Sequence, residues 1–234
     1  SRIIFRDWEN QALVLQAKTL MESEVWRSPL SGDNQLEDKE FKVYSQWGDD
    51  GIIQYLIKKL KIKNKTFVEF GVADFYESNS HFLLINDNWK GLVIDGSKKN
   101  IDRLKQTDIY WRYNLTALEA FIDKDNIMDL ISSEINSEIG LLHIDLDGND
   151  YWILEKLDLE LLSPEIIILE YNYVFGSKRR ITVPYDQSFH RFKYHSNGLF
   201  FGCSIAALDN YMTKKDYFFI GTNSAKNNAY FIKK

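Results

Sequence analysis

Thr66-Phe67-Val68-Glu69-Phe70-Gly71, answered by Gly91-Leu92-Val93-Ile94-Asp95-Gly96-Ser97, decides how this chain is read. Both apolar runs are short, rich in β-branched or aromatic residues and stopped by glycine, the pattern of buried parallel strands. Between them, Ser78-Asn79 is placed to cap a helix carrying Phe82, Leu83, Ile85 and Trp89. Strand, glycine turn, helix and a second strand ending in an acid form a βαβ unit. In open α/β sheets such a unit binds a nucleotide-like ligand beyond the carboxyl ends of its strands.

The acids narrow the ligand. Asp95 closes the second strand, where a carboxylate accepts hydrogen bonds from both hydroxyls of a ribose. Glu69 lies inside the first strand, two residues before Gly71. The glycine fingerprint that cradles a pyrophosphate is missing, because Gly71 stands alone before Val72-Ala73-Asp74. A loop bearing Asp74 and Glu77 repels a diphosphate and suits a cation. S-adenosylmethionine offers an adenosine, a sulfonium and an ammonium, without phosphate. The alternative is a buried acid and a turn glycine in an ordinary βαβ unit.

Composition sets the bounds. At 234 residues and 44% hydrophobic content, one domain with a sizeable core is expected. No apolar run approaches the ~20 residues of a membrane helix. The start of the chain lacks the pattern of a secretory signal, and the expected setting is a reducing cytoplasm. A net charge of −5 argues against nucleic acid as the main partner. The single cysteine, Cys203, excludes an internal disulfide and a zinc cluster.

Residues 1–40 read as an N-terminal helical arm and linker, and 41–234 as the main domain. Trp8 to Met21 is loosely helical, and Ser28 to Lys39 has linker composition. Ile52, Ile53, Leu56, Ile57 and Leu60 give the next helix one apolar face. Ile109 to Tyr113 is expected as the third strand, which puts Asn114 at its end, as a base or ribose contact or as turn chemistry. Gly140 to Asp145 and Glu165 to Glu170 read as the fourth and fifth strands. Phe175 to Phe201 shows no clear period. Tyr217 to Gly221 and Ala229 to Lys233 flank a polar turn as two closing strands. Five β/α units and an antiparallel hairpin predict an α/β, seven-stranded, mostly parallel sheet with helices on both faces.

This layout resembles the Rossmann-like class I S-adenosylmethionine-dependent methyltransferase fold. Ser45-Gln46-Trp47-Gly48-Asp49-Asp50-Gly51, Val68-Glu69-Phe70-Gly71, Ser78-Asn79, Ile94-Asp95-Gly96-Ser97 and His143-Ile144-Asp145-Leu146-Asp147-Gly148-Asn149-Asp150 resemble its FkbM-type branch, which modifies sugars in bacterial polysaccharide (capsule) biosynthesis. The departure is Val72 to Glu77, where the glycine-rich loop would continue. The resemblance implies O-methylation of a sugar hydroxyl, on a free or nucleotide-linked sugar such as a heptose, with homo-oligomerisation left open. It implies a cofactor site drawn from Glu69, Gly71, Asn79, Asp95, Gly96, Ser97, Asn114 and Asp145. A methyltransferase of another small molecule or of a phosphate group, and a non-catalytic binding module of the same fold, remain alternatives. A nucleotide-dependent oxidoreductase is disfavoured by the missing glycine fingerprint.

Methyl transfer to a hydroxyl needs the proton removed as the oxygen attacks, by a base or through a divalent metal. Asp145 and Asp147 after the fourth strand, with Glu170 and Asn172 after the fifth, are candidate oxygen ligands for Mg²⁺ or Mn²⁺. Asp145 and Asp147 equally suit a helix cap and a turn. His190 and His195 are the candidate bases, and Asp145 sits between cofactor and acceptor. His143 reads as a core histidine and His81 as structural or cofactor-adjacent. Lys178, Arg179, Arg180, Arg191 and Lys193 are a candidate diphosphate patch or a solvated loop.

Overall fold

The computed structural model describes the backbone of residues 2–31 and 35–234, with side chains from Asn10 onward. The strands are β1 (Thr66–Phe70), β2 (Lys90–Asp95), β3 (Leu115–Glu119), β4 (Leu141–Ile144), β5 (Ile166–Glu170), β6 (Tyr217–Thr222) and β7 (Asn228–Lys233). They form one seven-stranded sheet in the order β3-β2-β1-β4-β5-β7-β6. The first five are parallel, and β7 runs antiparallel to both β5 and β6. This is the expected Rossmann-like arrangement with a closing hairpin.

Alternation along the strands splits the core in two. Phe67, Val93, Leu141, Ile166 and Ile168 face one side, while Val68, Leu92, Leu142, Ile167 and Leu169 face the other. The first face is covered by α1 (Arg2–Met21), α2 (Glu24–Arg27), α3 (Asp49–Leu60), α4 (His81–Asp87) and α5 (Lys98–Lys105). After α5 comes α6 (Asp108–Arg112). The second face is covered by α7 (Ile127–Ser132), α8 (Asp150–Leu154), α9 (Leu159–Leu162) and, after the short α10 (Arg191–Tyr194), α11 (Ile205–Lys214).

Two local expectations change. Ile109 to Tyr113 lies mostly within α6, and the third strand is Leu115–Glu119. The aromatic and β-branched residues there suit a strand, yet Leu115 to Glu119 pairs with Gly91 to Asp95 and occupies the edge. Asn114 therefore precedes β3, at the amino end of the sheet, where its carbonyl accepts from Gly91 N–H. That removes it from the ligand edge. The helix after β1 begins at His81 with Ser80 as its N-cap, and Ser78 and Asn79 turn toward Glu69 instead of capping it.

The N-terminal segment packs on the sheet. Ala17, Met21, Trp26 and Leu36 belong to the same core as α3 and β1. Trp26 Nε1 donates to the Lys39 carbonyl at 3.0 Å, and its ring meets Tyr55 edge-on at 5.8 Å. Part of the expected linker, residues 32–34, and the Trp8 side chain lie outside the described residues. Trp26→Ala should lower the unfolding free energy by about 3–5 kcal/mol. The measurement is the urea midpoint, and an unchanged midpoint would show that this segment adds nothing to the core.

Candidate functional site

The strand order reverses between β1 and β4, and the crevice beyond their carboxyl ends is where such sheets bind ligands. Gly71 leaves β1 with φ +74°, and a Cβ there would lie 1.7 Å from the Asp145 carbonyl oxygen. No side chain fits. The loop that follows holds Ala73 at φ 49° and Phe75 at φ 65°, left-handed conformations that disfavour residues with a Cβ. Two contacts support them. Ala73 N–H donates to Asp95 Oδ2 at 2.8 Å, and the buried Phe75 ring stacks on His81 at 4.9 Å. His81 in turn stacks on Tyr44 at 3.9 Å, and burial pushes its pKa down to about 4, so it is neutral.

Glu69 is buried behind this loop. Its carboxylate accepts from the Ser78 and Ser80 hydroxyls, the Asn79 and Ser80 amides, and His143 Nδ1 at 2.9 Å. Burial alone would raise the Glu69 pKa, but the His143 and serine bonds outweigh it and hold the carboxyl below its usual value. Burial alone would lower His143, but the bond and charge of Glu69 outweigh it and raise the imidazole. The two form a buried ion pair. Asn79 lies beside it, its Nδ2 3.4 Å from His143 Nε2.

Three acids gather at the ends of β4 and β5. Asp145, Asp150 and Glu170 each place an oxygen within 4.8 Å of the others. Desolvation, then mutual repulsion, keeps protons in this cluster: Asp145 is pushed up to about 6, Asp150 to about 7, and Glu170 well above its usual value. Asp150 also orders the turn before α8, accepting from Leu146 N–H at 2.6 Å and Gly148 N–H at 2.9 Å. Among the described residues nothing hydrogen-bonds to the buried Glu170 Oε2.

This set differs from the four ligands expected from sequence. Asp147 has φ 55°, is largely exposed at the rim of the cavity described below and pairs with Arg191 rather than converging with the other acids. Asn172 is spent on the chain: Nδ2 donates to the Leu199 and Phe201 carbonyls, and Oδ1 accepts from Val174 N–H. Asp150, within a motif already legible in the sequence, takes their place.

A cavity of about 830 Å³ runs along this edge. Gly71, Ala73, Asp95, Gly96, Asn100, Phe121 and Ile122 line one half, and Asp145 and Glu170 form part of its wall. Trp47, Tyr173, Phe189, Arg191, Phe192 and Phe201 line the outer half. Ser97 accepts from Asn100 N–H as the cap of α5 and does not line the cavity. His190 lines a shallow depression that shares Phe121 and Phe189 with the cavity, and His195 is exposed at the end of α10; neither lines the cavity that holds Asp145. Of the basic cluster only Arg191 reaches the cavity. Phe121, Asn100 and Asn227 carry no local signature, and the sequence reading missed them, while Gln46 and Trp47 stand in the Ser45–Gly51 motif but were given no site role there; placing β3 correctly is the signal that finds Phe121.

No protein-family model matches the chain, and no curated protein matches it by sequence. Solved structures do match it by fold. One is an O-methyltransferase from Bacillus cereus in complex with S-adenosylhomocysteine, at 12% identity and TM-score 0.52, covering 97% of this chain and 91% of that one. A second is a methyltransferase from Podospora anserina bound to S-adenosylhomocysteine, at 13% identity and TM-score 0.53, covering 95% and 88%. A third is the O-methyltransferase TomG from Streptomyces achromogenes, in complex with S-adenosylmethionine, at 11% identity and TM-score 0.52, covering 88% and 92%. The fold is therefore that of the Rossmann-like methyltransferases.

The acid cluster sets a pH dependence. A carboxyl whose pKa is higher in the folded than the unfolded state binds more protons when folded, so stability falls as pH rises through that interval. For Asp145 and Asp150 the interval runs from the ordinary carboxylate range to about pH 7. Glu170→Gln removes one charge from the cluster and should flatten this decline, leaving the variant more stable than wild type at pH 8. Thermal melts from pH 4 to 8 check it, and parallel profiles would refute the shared proton.

Proposed function

We propose that this chain is an S-adenosylmethionine-dependent O-methyltransferase whose acceptor is the hydroxyl of a sugar, free or nucleotide-linked. The observation that carries the reading is a single cavity joining the acid at the end of β2 to the acids at the ends of β4 and β5. Asp95 would receive the ribose. Its Oδ2 takes the Ala73 amide at 2.8 Å, and its Oδ1 takes the Ser97 amide at 2.8 Å and Asn100 Nδ2 at 3.4 Å, which fixes the carboxylate and leaves Oδ2 a lone pair for a ribose hydroxyl. Gly71 lines the cavity where β1 ends, and its missing side chain lets the end of β4 pack against it. Fold similarity to proteins solved with S-adenosylmethionine or its demethylated product supports the cofactor.

Methyl transfer is a displacement at a carbon already activated by its sulfonium, so the protein mainly supplies position. Asp145 stands between the cofactor half and the outer half of the cavity. The half-exposed rings of Trp47, Tyr173 and Phe192 offer apolar faces to a sugar ring, and Arg191 offers one cation to an anionic substituent. With His190 and His195 not lining the cavity, proton acceptance falls to Asp145, whose carboxyl is pushed up only to about 6. The three convergent carboxylates and the unpartnered Glu170 oxygen also fit Mg²⁺ or Mn²⁺, held by Asp145, Glu170 and Asp150. When bound, such an ion supplies a lowered hydroxyl pKa.

Calorimetry with S-adenosylhomocysteine, with and without Mg²⁺, tests the cofactor. Asp95→Ala should weaken binding by about 1.5–3 kcal/mol, the scale of hydrogen bonds to a charged group. Folded protein that binds in neither condition would rule the methyltransferase reading out. Turnover of a sugar acceptor that survives a chelator unchanged would remove the metal and leave Asp145 as the base.

A further inference from the structure

The chain between β5 and α11 walls the outer half of the cavity and carries an apolar surface of its own. Tyr173, Val174, Phe192, Tyr194, Leu199 and Phe200 are between 36% and 60% exposed. They lie together. Asn172 Nδ2 donates to the Leu199 and Phe201 carbonyls, which holds the turn at Tyr173–Phe175 against residues 199–201. The Tyr194 ring stacks on Phe200 at 5.6 Å and on Phe189 at 4.9 Å. Phe192 packs on Gly198, where an added Cβ would lie 2.5 Å from its ring. Single exposed apolar side chains are ordinary on a protein surface, but a contiguous patch marks something that covers it.

A sugar in the cavity does not cover this patch. Tyr173, Phe192 and Leu199 line the cavity, whereas Val174, Tyr194 and Phe200 lie outside it. The apolar surface therefore begins at the outer wall and runs beyond it.

Charge identifies the cover. Residues 173–200 hold five Lys or Arg and one acid, Asp186, in a chain whose net charge is −5. Lys178, Arg179 and Arg180 are exposed and form no ion pair among the described residues. Ser204 fixes their place, its hydroxyl donating to the Arg179 carbonyl at 2.7 Å and accepting from Ile181 N–H at 3.0 Å. That pins the basic run beside the residues that follow Phe201. A nucleic acid would match the cations but set Val174 and Leu199 against a phosphate backbone. An anionic bilayer matches both features. Aromatic and aliphatic side chains enter the headgroup region, and Lys and Arg meet the lipid phosphates.

We infer that this face docks on an anionic lipid surface, with the apolar patch in the headgroup region and Lys178, Arg179 and Arg180 beside it. Docked in this way, the outer half of the cavity faces the lipid. The inference stands on surface chemistry and does not require the methyltransferase reading.

The test is flotation of the full chain with vesicles of phosphatidylcholine alone and of phosphatidylcholine mixed with phosphatidylglycerol. The protein should float with the mixed vesicles, be released as salt rises, and stay behind with phosphatidylcholine alone. Reversing the three charges (Lys178→Glu, Arg179→Glu, Arg180→Glu) should weaken the partition about a hundredfold. Val174→Asp should weaken it about tenfold. Thermal melts of both variants should match wild type, because all four side chains are exposed. Folded wild type that floats with neither vesicle would overturn the inference. Flotation that survives the charge reversal would do the same, and flotation indifferent to Val174→Asp would leave a polyanion site with no apolar part. No flotation, together with a concentration-dependent dimer in sedimentation velocity that Val174→Asp breaks, would give this face to a second copy of the chain instead.

Discussion

The ligand edge of this sheet depends on one buried carboxylate. Glu69 projects from β1 and accepts hydrogen bonds from Ser78, Asn79, Ser80 and His143. An acid at 2% exposure is tolerated only when paired and hydrogen-bonded. Here the pairing partner is on β4 and the amide donors belong to the entrance of α4. One side chain thus ties two neighbouring strands to the segment that closes the loop after β1. The residue stands where the sequence places a cofactor contact, but its oxygens are occupied by the chain. Its part is to hold the loop that the ligand would touch.

That loop carries strain. Ala73 and Phe75 both sit at positive φ, a cost of about 1–3 kcal/mol each, and such conformations persist only where the surroundings over-determine them. Asp95 holds the first through its amide, and the Phe75–His81–Tyr44 stack holds the second. The missing glycines are therefore replaced by support from β2 and α4. On the other side of the switch point, Asp145, Asp150 and Glu170 carry a different cost, desolvation joined by mutual repulsion, relieved by retained protons.

Some of the site was open to reading because its residues sit at strand ends. Asp95, Gly96, Gly71 and Asp145 follow apolar runs whose termini glycine and acid mark, and all four line the cavity. Asn114 failed for the same reason in reverse: misplacing the third strand by about one strand length moved it to the wrong end of the sheet. His190 and His195 were chosen for chemistry within a segment without period, and nothing in such a segment says which side chains face inward. Arg191, next to one of them, does.

The sequence by itself determined four of the five parallel strands, the closing hairpin and the acids that end β2, β4 and β5, because strand burial and glycine stops are written in local pattern. Only tertiary structure decided which acids converge, exchanging Asp147 and Asn172 for Asp150. It also brought Asp49 against Asn228 and Tyr230. Arg191 claims the Asp147 carboxylate and a loop claims both ends of the Asn172 amide, and neither event has a signature in local residue spacing. The direction in which a polar side chain points is set by the neighbours that satisfy it, and here those neighbours come from opposite ends of the chain.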